Sequence, residues 1–483
     1  MKNKKIYFIA SGIIILIVAI YFIISKVNLN KDKDMVHNTH NDERISEGNE
    51  KSYSELPIPK ILEDMNPDPN IAEFTLEPKE GKTTFLDNKE TETMGYNGSY
   101  LGPVIRVKRG EEVKVNVNNQ LNEPTTLHWH GLEVDGENDG GPHQGIQPGT
   151  TWTPNFIIKQ PAATLWYHPH FIGSTATQVY KGLAGLFFIE DEVSGSLNIP
   201  KEYGVNDIPL VIQDRSFNED GSFLYETNMM DGAIGDTILA NGAIYPTLKV
   251  GTEKVRLRII NGANASNFDL RLSNNDEFHQ IASDGGFLEK PVKKDSTFLS
   301  PGERSEIIID FSSYKVGDEI ELLSGNDKII KIVVDKKVED TTEVPGTLTK
   351  INGFLEKEAV IEREFKLEGM GRMVSINGEK FDMKEINEFG NYGDTEIWTI
   401  TNPATMMHSM GHPFHIHGTQ FQVLSRNGEK PSEEERGFKD TVFIDSDEEV
   451  KLLVKFNETG TYMYHCHILE HEEEGMMGQI EIE

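Results

Sequence analysis

Apolar and polar residues alternate in short runs from residue 56 to the C-terminus of the chain. Gly, Pro and Asn separate these runs, and no long stretch repeats apolar residues at helical spacing. An alternation with a period of two residues is typical of strands that bury one face. Many short strands between turn residues are characteristic of β-sandwiches, so the pattern predicts an all-β protein.

Two segments recur along the chain and indicate repeated domains. The first reads GPVIRVKRGEEVKVNVNN from Gly102, YPTLKVGTEKVRLRIING from Tyr245 and, in shorter form, GDTEIWTITNP from Gly393. The second begins at positions 148, 299 and 447, as PGTTWTPNFII, LSPGERSEIIIDF and DEEVKLLVKF. A spacing of about 145 residues fits three domains, each one a β-sandwich. We place these domains at residues 56–195, 196–345 and 346–483.

The N-terminus has a different character. Residues 6–24 are almost uninterruptedly apolar and follow three lysines, which predicts a membrane-spanning helix with the rest of the chain outside the cytoplasm. We expect residues 1–25 to be an anchor, in preference to a cleaved signal peptide, because no small-residue cleavage site is evident. Residues 26–55 are polar and charged and are predicted to be a disordered tether. The folded part would then lie at the outer face of the cytoplasmic membrane, or be secreted if the segment is cleaved.

The charge of the chain excludes one class of partner. Acidic residues outnumber basic ones by 79 to 47 among 483 residues, for a net charge of −32. Such a molecule repels phosphate backbones, so we expect no nucleic-acid partner. The negative field attracts cations, although an acidic surface also serves solubility alone, and the charge does not decide between these roles.

Histidine carries the most specific signal. The chain has 15 histidines, and ten of them fall in the clusters LHWHG, WYHPH, HPFHIHG and HCHILEH. Each cluster contains His-x-His, whereas a random chain of this composition would show about half of one such pair. In a strand, side chains at i and i+2 point to one face, so each pair directs two imidazoles the same way. Four such pairs predict metal binding.

The only cysteine, Cys466, lies between His465 and His467. Strand alternation directs its thiol to the face opposite the two imidazoles, so two metal sites would be joined through a few covalent bonds. One thiolate with two imidazoles and a thioether is the ligand set of a blue-copper site. His471 and Met476 follow in the same loop, with Met477 as an alternative thioether, and His412 would be the second imidazole. Zinc is less suitable, because structural zinc sites usually have several thiolates.

The other eight histidines form an all-imidazole set, which suits copper ions that activate O2. Four lie in the first predicted domain and four in the third, so the set is expected at the interface between these domains. The middle domain contains only His279 and is expected to hold no copper ligand and to have an architectural role.

These motifs resemble the multicopper oxidases, the family of laccases, ferroxidases and bacterial cuprous oxidases. The resemblance covers residues 56–483, and the stretches HWHGLEVDGENDGGP, INGEKFDM, HPFHIHGTQF and HCHILEHEEEGMM are most similar to the cuprous oxidases of copper-tolerant bacteria. It implies three cupredoxin-like Greek-key β-sandwiches and four copper ions, one of type 1, one of type 2 and two of type 3. The implied type 1 ligands are His412, Cys466, His471 and Met476; the type 2 ligands are His128 and His415; the type 3 ligands are His130, His168, His170, His417, His465 and His467.

The resemblance also implies two catalytic carboxylates. Asp139 matches an acid that forms hydrogen bonds near the copper cluster, and Glu472 matches one that relays protons to bound oxygen. Reduction of O2 to water consumes protons, so acids near the cluster are chemically required. Glu472 alternatively belongs to a solvated run of glutamates that includes Glu473 and Glu474. His143, in GGPHQG, is interpreted as a loop residue and not as a ligand.

The donor is less well specified. The methionine-rich insertion of the Gram-negative relatives is absent, which leads us to expect a more open type 1 site and higher activity on organic substrates. Thioethers prefer Cu(I), and a substrate copper site or simple pocket lining are equally consistent with the nearby soft side chains. These side chains are Met370, Met373, Met406, Met407, His408 and Met410.

The expected function is oxidation of Cu(I), or of phenols and aromatic amines, coupled to reduction of O2, with a role in extracytoplasmic copper tolerance. The alternatives are a general laccase or ferroxidase, and a copper-sequestering protein without turnover. The expected partners are O2, the donor and, through the anchor, a membrane, and the chain is expected to be a monomer.

Overall fold

The computed structural model describes residues 54–227, 231–404 and 410–483. The predicted anchor (1–25) and most of the predicted tether (26–55) lie outside these ranges. Among the described residues, no helix is both long and apolar enough to cross a membrane. The regular secondary structure of the described chain is almost entirely β-strand, which confirms the all-β prediction.

The first part of the chain forms two four-stranded sheets and a separate hairpin. Its strands are β1 (Ile71–Leu76), β2 (Pro78–Leu86), β3 (Lys89–Tyr96), β4 (Ile105–Lys108), β5 (Glu112–Asn118), β6 (His128–His130), β7 (Thr151–Trp152), β8 (Asn155–Ile157), β9 (Ala163–His168) and β10 (Gly185–Glu190). One sheet has the order β1-β5-β7 with β8 also paired to β5, the other has the order β4-β10-β9-β6, and β2 pairs with β3. In β5, buried residues alternate with partly exposed ones, as the sequence pattern predicts. Apolar residues of both sheets form one core.

The middle part forms a seven-stranded and a five-stranded sheet. Its strands are β11 (Asp207–Arg215), β12 (Thr237–Ala240), β13 (Ala243–Ile244), β14 (Thr247–Gly251), β15 (Lys254–Asn261), β16 (Phe268–Leu272), β17 (Phe278–Ser283), β18 (Gly286–Lys294), β19 (Ser296–Leu299), β20 (Arg304–Asp310), β21 (Glu319–Ser324) and β22 (Asp327–Lys336). The sheet orders are β13-β12-β11-β15-β20-β17-β18 and β14-β22-β21-β16-β19. All nine residues of β11 are buried, because this strand is covered on both faces.

The last part forms two five-stranded sheets. Its strands are β23 (Ala359–Glu368), β24 (Ser375–Ile376), β25 (Glu388–Gly390), β26 (Thr395–Asn402), β27 (His412–Ile416), β28 (Gln422–Arg426), β29 (Thr441–Ile444), β30 (Glu448–Lys455), β31 (Gly460–Cys466) and β32 (Met477–Ile482). The sheet orders are β24-β23-β26-β30-β28 and β25-β32-β31-β27-β29. Their facing side chains form a third core, which includes Cys466 and Met476.

The helices of the described chain are short. They are α1 (Thr175–Tyr180), α2 (Glu192–Ser196) and α3 (Leu469–Glu473), with 3-10 turns at Glu356–Glu358 and Glu433–Glu435. Helix α3 follows β31 and carries His471 and Glu472. Helices α1 and α3 contact each other, so the first and last parts of the chain meet beside the histidine-bearing strands.

The three sheet pairs agree with three sandwiches, while the domain boundaries near residues 195 and 345 stay a prediction. One detail was not anticipated at the predicted start of the first domain. Leu56 is buried in the core of the middle sheet pair, and its backbone N–H donates to the carbonyl of Thr247 at 2.8 Å. The first residues of the described chain therefore pack on the middle part before the chain enters the first sheet.

Candidate metal centre

Two histidine-bearing strands lie side by side in the first sheet pair. β6 and β9 are antiparallel, and their register places His128 opposite His168 and His130 opposite Trp166. The chain then continues through Pro169 to His170, whose backbone N–H donates to Oγ1 of Thr126. All four histidines are buried, so the HWH and HPH motifs project from neighbouring positions into one closed space.

The last sheet pair repeats this arrangement. β27 and β31 are antiparallel, with His415 opposite His465 and Phe414 opposite Cys466. Side chains that are directly opposite share a face, so His415 and His465 point one way and Cys466 points the other. His467 and His417 follow directly on the two strands and are also buried.

The structure brings the eight predicted histidines together. Nε2 of His465 lies 3.1 Å from Nε2 of His417 and 3.2 Å from Nε2 of His170. The ring of His128 stacks on that of His417 with centroids 3.6 Å apart, and the ring of His130 stacks on that of His415 at 3.7 Å. The histidines of the first and last sheet pairs therefore form a single buried cluster where those sheet pairs meet.

The outer ring nitrogens of six of these imidazoles are hydrogen-bonded to oxygen. These six are His128, His130, His168, His415, His417 and His465, and their acceptors are carbonyl oxygens or the carboxylates of Asp139 and Asp440. A carbonyl or an ionised carboxylate only accepts, so the outer nitrogen carries the proton. The inner nitrogen of each ring is then the unprotonated one, with its lone pair directed into the cluster.

The cluster therefore fits metal ions. Unprotonated nitrogens that face each other, as in the pairs His130–His168 at 3.4 Å and His417–His465 at 3.1 Å, repel one another unless a cation lies between them. Burial, with a further contribution from neighbouring imidazoles, lowers the pKa of His130, His168, His170, His415, His417 and His467, and burial lowers the pKa of His465 to about 3. Neutral imidazoles are metal ligands, and sites made of imidazole suit copper.

A second site lies on the other face of β31. Sγ of Cys466 is 3.5 Å from Nδ1 of His412 and 3.8 Å from Nδ1 of His471. The three donor atoms lie within 4.8 Å of one another and are buried. Burial raises the pKa of the Cys466 thiol and lowers the pKa of His412 to about 3, so metal binding here must displace the thiol proton. This donor set fits a blue-copper centre.

The register of β31 and β32 bears on the choice between Met476 and Met477. Met477 is opposite His465, so its side chain lies on the face of the imidazole cluster. Met476 directly precedes Met477 and therefore lies on the face of Cys466, and its carbonyl accepts the backbone N–H of Cys466 at 3.0 Å. Both methionines are buried, and the register places Met476 with the thiolate site.

The Cys466 site is covered on the side of His471. His471 is fully buried, and the backbone nitrogen of Gly371 lies 3.2 Å from its Nε2. The turn of residues 369–373 therefore lies over this imidazole. The expectation that the site is more open than in relatives with a methionine-rich insertion stays a prediction.

The methionines of the predicted substrate site are only partly described. Met373 is 68 % exposed and Met370 is half-buried, and both belong to the turn that covers His471. Met410 packs against the core of the last sheet pair, which is the pocket-lining alternative for this residue. Met406, Met407 and His408 lie outside the described residues.

Asp139 lies beside two cluster histidines, as predicted. Its Oδ2 is 2.8 Å from Nδ1 of His417 and 3.4 Å from Nδ1 of His128, and its backbone carbonyl accepts from His128 at 3.1 Å. Its Oδ1 is buried and has no hydrogen-bond partner among the described residues. One carboxylate thus fixes two imidazoles and keeps an acceptor free.

Glu472 does not belong to a solvated run of glutamates. It is 3 % exposed, and its carboxyl oxygens lie 3.4 Å from Nδ1 of His170 and 3.4 Å from Nδ1 of His465. Burial, followed by the charges of Glu473 and Glu470, raises the pKa of Glu472 well above its usual range. Burial thus favours the protonated form of this carboxyl group, which lies beside the cluster.

Sequence reasoning missed a third carboxylate at the cluster. Oδ1 of Asp440 accepts from Nε2 of His130 at 3.0 Å, and its backbone carbonyl accepts from Nδ1 of His415 at 2.8 Å. Arg304, from β20 in the middle part of the chain, donates to both oxygens of this carboxylate. The motif FKDTVF contains no signal for this role in a single sequence, since nothing links Asp440 to His130 along the chain.

His143 and His279 lie apart from both the imidazole cluster and the Cys466 site. His143 is an exposed loop residue whose Nε2 lies 2.8 Å from Oε1 of Gln479, so it joins the first and last parts of the chain. His279 is half-buried on β17 in the middle part. Neither belongs to a described group of donors that could hold a metal ion.

Comparisons with known proteins agree with this geometry. Three family profiles, each described as multicopper oxidase, match residues 77–194, 195–318 and 356–483. The "Multicopper oxidase mco" of Staphylococcus epidermidis is 44 % identical over 460 residues, which cover 94 % of this chain and 99 % of that protein. The crystal structure of a laccase from Pediococcus acidilactici is similar with a TM-score of 0.86 and 38 % identity, covering 91 % of this chain and 95 % of that one.

The similarity extends to a protein with a different name. The "Cell division protein FtsP" of Photorhabdus laumondii is 34 % identical over 449 residues, which cover 88 % of this chain and 91 % of that protein. Copper binding by this chain is therefore inferred from its own buried imidazoles and thiol. Fold, profiles and relatives agree that the sandwiches are cupredoxin-like, and the chain belongs to the multicopper oxidase family, copper-dependent oxidoreductases that use O2 as electron acceptor.

Proposed function

We propose that this protein is a four-copper oxidase that accepts single electrons from a donor at the Cys466 site and reduces O2 to water at the imidazole cluster. The type 1 copper would be held by His412, Cys466, His471 and Met476. The type 2 copper would be held by His128 and His415, and the type 3 pair by His130, His168, His170, His417, His465 and His467.

One observation carries the proposal: Cys466 and its two neighbours belong to different sites. Cys466 lies with His412 and His471, while His465 and His467 face the cluster from the same short stretch of backbone. The two sites are thus joined through the covalent bonds of adjacent residues. A protein that only stores copper has no use for such a connection.

Bound copper would supply the one-electron acceptor at the thiolate and the O2-reducing centre among the imidazoles. The chain fixes the ligands and provides protons. Asp139 orients His417 and His128, and the carboxyl group of Glu472, whose pKa is raised by burial, lies 3.4 Å from Nδ1 of His170 and of His465. We assign to Glu472 the delivery of protons to reduced oxygen and to Asp139 the hydrogen-bonding of the cluster.

The donor is proposed to be Cu(I), or a phenol or aromatic amine, with Fe(II) as the alternative. Because His471 is buried under the turn of residues 369–373, electrons would reach its imidazole through this turn and not by direct contact with a docked ring. Met370 and Met373 in the same turn provide thioethers that favour Cu(I). This arrangement supports a role in copper tolerance outside the cytoplasm.

The proposed location follows from the N-terminal sequence. Residues 1–25 would anchor the chain at the outer face of the cytoplasmic membrane, or would be removed from a secreted protein. The folded part would act as a monomer. Membrane fractionation and N-terminal analysis of the mature chain distinguish the two locations, and size-exclusion chromatography tests the oligomeric state.

Comparative kinetics of the copper-loaded protein test the function. Consumption of O2 is followed with Cu(I), Fe(II) and a phenol, and the phenol is measured with and without added Cu(II). The proposal predicts catalytic consumption of O2 with at least one donor. Copper binding without O2 consumption would establish the sequestering alternative, and phenol turnover only with excess copper would exclude direct oxidation of organic donors.

A further inference from the structure

Arg304 is a buried cation from the middle part of the chain that contacts all three parts. Its Nε donates to the carbonyl of Thr164 on β9, which lies in the first sheet pair, at 3.1 Å. Its Nη1 and Nη2 donate to the carbonyls of Gly302 and Asp284 at 3.0 and 3.1 Å. The same two nitrogens donate to the carboxylate of Asp440, directly before β29 in the last sheet pair.

Both carboxylate oxygens of Asp440 accept hydrogen bonds from neighbouring side chains, so the orientation of the carboxylate is fixed. Oδ1 accepts from Arg304 at 2.6 Å, from Oγ1 of Thr441 at 3.0 Å and from Nε2 of His130 at 3.0 Å. Oδ2 accepts from Arg304 and from Nε2 of Gln420 at 2.8 Å. A planar guanidinium matches both oxygens of a carboxylate at once, which a lysine ammonium cannot do.

The orientation of Asp440 determines which nitrogen of His130 faces the cluster. Because Nε2 donates its proton to Asp440, Nδ1 carries the lone pair, and this nitrogen lies 3.4 Å from Nε2 of His168 inside the cluster. Partners of this kind fix the tautomer and the ring orientation of metal-binding histidines. The backbone carbonyl of Asp440 does the same for His415 at 2.8 Å.

The loop that leads to Arg304 also packs on the cluster. Gly302 has a φ of +87°, and a Cβ at this position would lie 3.0 Å from Cε1 of His130 and 3.0 Å from Cδ2 of His467. The middle part therefore reaches the imidazoles both through the backbone of Gly302 and through Arg304. The sequence-based expectation gave it an architectural role alone.

We propose that Arg304 is a positioning residue of the imidazole cluster: by holding Asp440 it fixes His130 and His415 and so maintains the rate at which the reduced cluster reacts with O2. This rests on the proposed function. The middle part of the chain, which contributes no ligand, thereby controls the oxygen side of the reaction and leaves the Cys466 site unaffected.

Arg258 provides a matched control. It is also buried, it donates to both oxygens of one aspartate, Asp207, at 2.7 and 2.8 Å, and it also contacts Thr164, at 3.2 Å from Oγ1. None of its described hydrogen bonds reaches Asp440 or a cluster histidine. Arg304→Lys and Arg258→Lys therefore make the same chemical change at two buried arginines. Only Arg304 is linked to the cluster histidines, through its hydrogen bonds to Asp440.

The experiment separates the two halves of the reaction. Copper per chain and the electron paramagnetic resonance spectrum of the type 2 copper are measured first for wild type, Arg304→Lys, Arg304→Gln and Arg258→Lys. Stopped-flow absorbance then follows anaerobic reduction of the blue band and, separately, its reoxidation by O2. Asp440→Asn, which keeps the shape of the side chain and removes its charge, repeats the test if an Arg304 variant does not fold.

We expect Arg304→Lys to slow reoxidation by about 10-fold and Arg304→Gln to slow it further. Loss of a partner of a metal-binding histidine typically costs about 10- to 100-fold in activity. The type 2 spectrum should change in both variants, while anaerobic reduction stays within about twofold of wild type and Arg258→Lys resembles wild type throughout. Equal reoxidation in Arg304→Lys and Arg258→Lys, or slower rates fully explained by lost copper, would overturn the inference. A wild-type protein that does not reoxidise with O2 would overturn the proposed function as well.

Discussion

Oδ2 of Asp139 lies 2.8 Å from Nδ1 of His417, and the two residues come from opposite ends of the folded chain. The carboxylate accepts the outer proton of this imidazole and so directs Nε2 into the cluster, 3.1 Å from Nε2 of His465. Asp139 therefore joins the first and last sheet pairs at the atoms where copper is expected.

Asp139→Asn tests this connection. An amide can present its NH2 group to His417 and no longer selects the tautomer with Nε2 unprotonated. We expect O2 consumption to fall by 10- to 100-fold, the usual cost of losing such a partner, with the blue absorbance of the Cys466 site unchanged. An oxygen electrode and the visible spectrum provide the two measurements. Unchanged O2 consumption at full copper loading would show that this contact is dispensable.

Glu472→Gln tests proton delivery, and Glu474→Gln is its control. Glu472 is 3 % exposed beside His170 and His465, whereas the side chain of Glu474 is 38 % exposed. We expect Glu472→Gln to lower O2 consumption by 10-fold or more, since general acid catalysis contributes about 100-fold or more to such steps. Glu474→Gln should behave as wild type in the same assay. Equal O2 consumption by the two variants would mean that Glu472 acts like the solvated glutamates beside it and does not deliver protons.

Met476→Leu and Met477→Leu test the register argument at the thiolate site. Met476 lies on the face of Cys466 and Met477 on the face of His465. The axial ligand tunes a blue-copper centre, so only Met476→Leu should shift the reduction potential and the visible spectrum. Spectroelectrochemistry of both variants decides the assignment, and a shift confined to Met477→Leu would reverse it.

Two buried ion pairs in the middle part, Arg256 with Glu306 and Arg258 with Asp207, predict a pH dependence of stability. Burial opposes ionisation of Asp207 and Glu306, but Arg256 and Arg258 outweigh it and hold the pKa of each carboxyl below its usual range. A pKa that is lower in the folded state contributes stability above the unfolded-state pKa, and this contribution is lost as the pH falls toward the folded-state pKa. We expect the free energy of unfolding of the copper-free protein to decrease as the pH falls below about 4, where unfolded carboxyls take up protons.

The control for this effect is Asp207→Asn. Removing the charge of Asp207 leaves two buried arginines, Arg256 and Arg258, with the single carboxylate of Glu306, so the variant should lose about 3–5 kcal/mol at neutral pH. Its stability should then change less steeply than that of wild type on acidification. Denaturant unfolding of both proteins at several pH values measures this, and parallel curves would mean that the pair does not contribute.

The clusters of histidines were predictable because strand geometry is local. The spacing of His128 and His130, and of His465 and His467, places each pair on one face of an extended chain. β6 contains the first pair, and the second pair lies at the end of β31, with His467 directly after its last residue. The opposite direction of Cys466 follows from the same alternation. The sequence also predicted three sandwiches, because recurring strand patterns are visible without knowledge of their contacts.

The contacts that hold the histidines were not predictable. His130 and Asp440 are 310 residues apart, and Arg304 and Asp440 are 136 residues apart, so only the docking of the three parts brings them together. The burial of Glu472 depends on the packing of α1 against α3. The run of glutamates in the sequence gives no sign of this contact. The cover over His471 was missed because the absence of a long insertion says nothing about a five-residue turn at 369–373.

We propose that electrons pass from the Cys466 site to the imidazole cluster through β31. The most direct measurement compares copper content and O2 consumption of wild type and Cys466→Ser with the same donor. We predict that Cys466→Ser loses the blue absorbance and one copper ion per chain, retains the cluster copper and consumes no O2 above background. O2 consumption by Cys466→Ser at the wild-type rate would contradict the claim, because electrons would then reach the cluster without the thiolate.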